Sequence, residues 1–176
     1  MAARTITCAC GDVAVELEGA PIFAAICYCD DCQEGGRRLA ALPHAPAVVG
    51  PDGGTPYVLH PRDRLRVIRG ADRLTPIKLR ESSPTNRMLA SCCNTPMFVG
   101  FDRGPFWASV YRDRYGADAP PIEMRVQTRF RPEGVTFPSK PPVFARMPLR
   151  AVLKLFGAYV AVMRSGPRPP LTPAPE

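Results

Sequence analysis

Cys27-Tyr28-Cys29-Asp30-Asp31-Cys32 puts three thiols within six residues. A turn of that kind can direct three sulfurs at one point, as tetrahedral sulfur ligation of a metal requires. Three thiolates do not fill four positions. Either a distant residue supplies the fourth ligand and the site is closed and structural, or the position stays open to water or a substrate and the site is reactive. The other four cysteines fall in two short groups, Cys8-Ala9-Cys10-Gly11 and Cys92-Cys93-Asn94. Residues 1–6 lead to Cys8 with no apolar run of signal-peptide kind, so a cytoplasmic protein with reduced thiols is expected. An odd total of seven clustered cysteines then reads as metal ligation, not as a disulfide framework. Adjacent side chains on extended backbone point apart, so one of Cys92 and Cys93 is expected to be the ligand. His44 and His60 lie in or beside a Pro/Gly-rich stretch without ligand spacing to a cysteine, and read as solvated.

The elements that must position these groups are mostly strands. With 22 prolines in 176 residues, turns and strands are favoured over long helices. Val13, Val15 and Leu17 alternate with Ala14, Glu16 and Glu18, as on a half-buried strand. Ile22 to Ile26 is a more buried run that delivers the chain into Cys27, and Gly35-Gly36 is expected to let the backbone leave the site sharply. Residues 40–62 carry turn chemistry, including Gly50-Pro51-Asp52-Gly53-Gly54. Leu65 to Ile68, Ile77 to Leu79, Phe106 to Tyr111 and Ile122 to Val126 read as further strands. Phe106 to Tyr111 is the most aromatic stretch, and reads as core.

The segment from Pro148 to Ser165 differs, because proline opens it and Gly166-Pro167 closes it, as at the two ends of a helix. At helical spacing Arg150, Lys154 and Arg164 share a narrow stripe, and Leu149, Val152, Leu153, Leu155, Phe156, Tyr159, Val160, Val162 and Met163 form a wide apolar arc. That arc calls for cover by a groove of the same chain, by the same helix in a homodimer, or by a membrane interface, and the cations argue against a spanning segment. The organisation expected is a β domain over 1–142, the amphipathic helix at 148–165 and a Pro-rich tail at 167–176. The net charge of +7 is spread along the chain without a run of like charges or a recognisable module, so no nucleic-acid partner is expected.

Taken together, Cys-x-Cys-Gly near the start, Cys-x-Cys-x-x-Cys about twenty residues later and Cys-Asn-Thr-Pro at Cys93 resemble the glutathione-dependent formaldehyde-activating enzymes and centromere protein V, over residues 5–135. The resemblance implies a mainly β, Mss4-like zinc-binding fold with one or two Zn2+ ions. It assigns Cys8, Cys10 and Cys93 to a structural zinc, and Cys27, Cys29 and Cys32 to a catalytic one. The implied activity is that of a carbon–sulfur lyase that joins formaldehyde to glutathione as S-hydroxymethylglutathione, with a small thiol such as glutathione as the partner. A non-catalytic zinc-stabilised β module with a binding or scaffolding role is the other reading that such a fold supports. The sequence departs from the family pattern at four places. Ala90 stands where the structural site has a cysteine, which leaves Cys92 as a substitute ligand; Asn94 replaces a glycine; Tyr28 replaces a histidine; and Gln33 and Glu34 replace basic residues. Asp30, Asp31 and Glu34 put negative charge where an anionic thiol would approach, which argues for a changed substrate or none.

Overall fold

The structure is a computed structural model, and it describes residues 3–103 and 106–165. The Pro-rich stretch at 167–176 lies outside the described residues. Among the described residues ten strands form two sheets, so the protein is mainly β, with two α-helices. A three-stranded antiparallel sheet has the order β1 (Arg4–Thr7), β2 (Ala14–Leu17) and β5 (Leu65–Arg69). The larger, seven-stranded sheet runs β10 (Met124–Val126), β3 (Phe23–Cys27), β4 (Thr55–Pro61), β9 (Trp107–Tyr111), β8 (Thr95–Phe101), β7 (Thr85–Ala90) and β6 (Leu74–Ile77). It is antiparallel apart from the β10–β3 pair.

Strand side chains alternate between faces, so each central strand of the large sheet feeds two cores. Ala24, Val58, Phe98, Ala108 and Val110 pack with Ile6, Val13, Val15 and Leu17 of the small sheet. Their neighbours Phe23, Ala25, Tyr57, Leu59, Val99 and Tyr111 pack on the opposite face with Leu39 and Ala151 from the two helices. The half-buried alternation read in Val13 to Leu17 is thus the inner side of β2. The strand expected over Ile77 to Leu79 ends at Ile77, the last residue of β6. His60 is not a solvated loop residue. It lies in β4 opposite Ala108, is 1 % exposed, and burial followed by the charge of Arg64 lowers its pKa to about 4.

The helix α1 (Asp30–Ala40) occupies the place where Gly35-Gly36 was expected to turn the chain away. Each glycine costs a helix interior about 1 kcal/mol relative to alanine, so tertiary packing must hold it. The reason is close approach. A Cβ on Gly35 would come 2.0 Å from Nε of Arg87, and one on Gly36 would come 2.0 Å from Cγ2 of Val49. The ends agree with the helix dipole, with Asp30 and Asp31 in the first turn and Arg37 and Arg38 in the last.

The second helix, α2 (Leu149–Ser165), does not sink into a groove. Ala151 is fully buried and Leu155 packs beneath it, while Lys154 pairs with Glu123 at 2.5 Å and Arg150 covers the ring of Phe144. The flanks and back of the apolar arc face outward, with Leu149 72 % and Phe156 62 % exposed. Among the described residues no helix is long and apolar enough to cross a membrane.

Candidate metal centres and an apolar cavity

Two hairpin loops meet at the end of the first core. The β1–β2 loop carries Cys8 and Cys10, and its turn is closed by Cys8 N–H donating to the Val13 carbonyl and Gly11 N–H donating to the Cys8 carbonyl. The β7–β8 loop runs from Ser91 to Asn94, closed by Cys93 N–H donating to the Ala90 carbonyl, with Asn94 in the left-handed conformation at φ 51°. Ala9 N–H donates to Thr95 Oγ1 at 3.1 Å and ties one loop to the other.

This turn overturns the expectation that adjacent cysteines must diverge. The backbone at 91–94 is a tight loop, not extended, and Cys8, Cys10, Cys92 and Cys93 all have their sulfurs within 4.8 Å of one another. The spacings are 3.5 Å for Cys8 to Cys10, 3.8 Å for Cys8 to Cys92, 3.3 Å for Cys10 to Cys92 and 3.8 Å for Cys92 to Cys93. A zinc–sulfur bond of about 2.3 Å in a tetrahedron puts sulfurs about 3.8 Å apart, so the donor set fits a four-thiolate ion. Val13 N–H donates to Cys8 Sγ at 3.2 Å. Cys93 is lowered to about 6: burial acts upward, and hydrogen bonds from Thr95 and the Cys10 backbone outweigh it. Ala90, where the resembled pattern has a cysteine, is fully buried at the end of β7.

The second group forms on the other face of the large sheet. Cys27 ends β3, Cys29 is the N-cap of α1 and Cys32 lies in its first turn, so one strand end and one helix start aim three sulfurs together. They lie within 4.8 Å of one another, with Cys29 and Cys32 3.1 Å apart. Hydrogen bonds from Cys27 and then Cys32 hold Cys29 well below the ordinary thiol range, whereas the same contacts push Cys27 and Cys32 up. The three sulfurs share their protons as one coupled group, and metal binding there releases the protons that remain. Tyr28 does not take part. Its ring stacks edge-on against Phe137, and its hydroxyl donates to Asp52 at 2.6 Å. Gln33 pins the same loop by donating to the carbonyls of Tyr28 and Phe130.

A cavity of about 230 Å³ opens beside the triplet, and Cys27, Cys29 and Cys32 form part of its wall. Its floor is the second face of the large sheet, where Phe23, Leu59, Val99, Phe101 and Trp107 present apolar surface from four strands. Met147, just before α2, also lines it. A larger hollow of about 530 Å³ on the outer side of α1 holds no thiol, and its Glu34 is paired with Arg37 and Arg38. The smaller cavity is the one with chemistry.

The acidic residues beside the triplet are less repulsive than the sequence suggested. Glu34 turns to the other side of the helix, and Asp31 pairs with Arg80 at 3.2 Å. The sequence reading missed Arg87. It is 3 % exposed, lines the cavity, and donates to the Asp31 backbone carbonyl. Among the described residues it has no carboxylate partner within 4.0 Å. A signal existed, because in Arg87-Met88-Leu89-Ala90 strand alternation puts a cation on the face of the buried Leu89. Tyr57, also missed, is pushed well up by burial and stays a protonated donor.

Residues 3–49 match the family model of the glutathione-dependent formaldehyde-activating enzymes. That span contains Cys8, Cys10 and the triplet but not Cys92 or Cys93, and it is a minority of the chain. A crystal structure of a Rhodobacter sphaeroides protein is similar at 22 % identity, over 66 % of this chain and 92 % of that one, with a TM-score of 0.47. No curated protein matches the chain.

Proposed function

We propose that the protein is a zinc-dependent thiol-adduct enzyme, in which a structural zinc is held by Cys8, Cys10, Cys92 and Cys93 and a catalytic zinc by Cys27, Cys29 and Cys32. The observation that carries this reading is the difference in donor number. Four sulfurs converge in one group and three in the other, and the group of three lines a cavity. The family match over residues 3–49 supports the same chemistry, the joining of formaldehyde and a thiol and its reversal as a carbon–sulfur lyase.

A zinc ion held by Cys27, Cys29 and Cys32 would supply Lewis acidity and would lower the pKa of an entering thiol. The chain supplies the rest. Three thiolates on a divalent ion leave a net negative charge, and the buried Arg87 guanidinium offsets it in a place where an unpaired cation is otherwise costly. The apolar floor excludes water, which would compete for the carbonyl carbon. In the joining direction the thiol sulfur attacks that carbon, the carbon–sulfur bond forms as the carbonyl π bond opens, and the oxygen gains the proton that the thiol gave up. Ser109, Thr85 and the protonated Tyr57 are the lining hydroxyls available to donate a hydrogen bond to that oxygen.

The test is adduct formation from formaldehyde and a thiol, followed by NMR on zinc-loaded protein. Faster equilibration than without protein, lost in Cys29→Ser with the fold intact, is expected. Protein with both zinc ions bound and no acceleration for any thiol favours the non-catalytic module.

A further inference from the structure

The chemistry of the cavity wall narrows the thiol, and the argument rests on the reading of the triplet as a thiol-binding centre. Glutathione carries two carboxylates and an ammonium. Among the described residues, the wall offers Arg87 and Asp31 as its charged side chains apart from the cysteines, and Asp31 is engaged by Arg80. One cation cannot pair two buried carboxylates, and a carboxylate left without a partner in such a site is strongly disfavoured. If Arg87 also faces the negative metal–thiolate group, none of its charge is free for a substrate anion.

Size points the same way. Cavities that enclose a drug-sized ligand run from roughly 300 Å³ upward, and this one holds about 230 Å³. Beyond the sulfurs, the two charged side chains and the hydroxyls of Thr85, Ser109 and Tyr57, its surface is hydrocarbon and aromatic. Phe23, Leu59 and Val99 form the floor, Phe101 and Trp107 meet edge to face at 6.1 Å, and Met147 supplies a thioether side chain that adapts to an aromatic ring.

We infer that the cavity takes a compact thiol with an uncharged apolar, preferably aromatic, substituent in place of glutathione, its sulfur at the Cys27, Cys29 and Cys32 end and its hydrocarbon against Leu59, Val99, Trp107 and Met147. Trp107 and Met147 are then specificity-determining residues, because they line the cavity without belonging to the sulfur group.

Cobalt(II) in place of zinc gives the direct test, since a thiolate joining the ion alters its absorption without any turnover. Phenylmethanethiol, 2-mercaptoethanol and glutathione are titrated into the cobalt-loaded full chain. Phenylmethanethiol is expected to shift the spectrum at concentrations at least about tenfold below those needed with glutathione, as burial of its ring removes apolar surface from water. Trp107→Ala and Met147→Ala each should narrow that ratio by about threefold or more. Glutathione acting at equal or lower concentration overturns the substrate class and leaves the thiol-binding reading standing. No response to any of the three thiols, with both ions bound, overturns that reading as well. The wild-type comparison decides even where a variant fails to fold.

Discussion

The two cysteine groups use the same ligand chemistry and are built in different ways. Cys8, Cys10, Cys92 and Cys93 come from two hairpin loops, and the convergence of four sulfurs joins distant parts of the chain across the first core. Cys27, Cys29 and Cys32 are local, spread over a strand end and the first turn of α1 within six residues of chain. A group that links distant loops contributes to folding when a metal binds. A local group of three would contribute little to chain closure but would keep one coordination position for a ligand. On the proposed reading, donor number and sequence separation divide stability from reactivity between two faces of one sheet.

Substitutions can break that division. The largest effect is expected from Cys8→Ala, which removes a buried member of the loop-joining group. A loss of several kcal/mol, seen as failure to fold or a fall of more than about 10 °C in Tm, would follow from the loss of a structural metal ligand. Cys29→Ser should do the reverse, cutting thiol-adduct turnover by about a hundredfold or more while Tm moves by only a few degrees. Equal losses of stability from both variants would show that the two groups are not divided in this way.

Gly35→Ala tests how the helix side of the triplet is held. Alanine gains about 1 kcal/mol of helix propensity, but its Cβ meets the buried Arg87 side chain at 2.0 Å. Arg87 has little room to yield, so a net loss of about 1–3 kcal/mol is expected in denaturant unfolding, together with weaker thiol binding. A stabilised variant would mean that Arg87 is free to move.

The smallest expected effect is on pH and lies away from both groups. His60 has a folded pKa near 4, below its ordinary value of 6.5, so the unfolded chain binds more protons between those values. Its contribution is fully present above pH 6.5 and is lost as pH falls through about 4. Its imidazole NMR titration should have a midpoint near 4. A midpoint near 6.5 would show that the side chain is hydrated.

Much of the β framework was legible because strand alternation is local. Ala14 to Leu17, Phe23 to Ile26 and Leu65 to Ile68 all fall in strands, each within a residue of the expected start. The glycines of α1 were misread because their reason is not local. Gly35 makes room for Arg87 and Gly36 for Val49, and neither partner is visible from the helix sequence. The pair Cys92-Cys93 was misread for a related reason. The left-handed Asn94 closes a loop in which neighbouring side chains need not diverge, whereas the alternation rule assumed a strand. The cavity was invisible, since Phe23, Leu59, Val99 and Trp107 reach it from four strands and each alone reads as core. The triplet itself needed no tertiary information, because all three of its sulfurs lie within one turn of chain.

The central claim is that one ion is closed by four sulfurs and the other keeps a position for an added thiol. Cadmium NMR of the cadmium-substituted protein reads this directly, because the shift depends on the number of sulfurs around the ion. Two resonances are expected, and on addition of phenylmethanethiol one should move toward the other while the second stays fixed. A single resonance, two that both stay fixed, or two that both move would contradict the account.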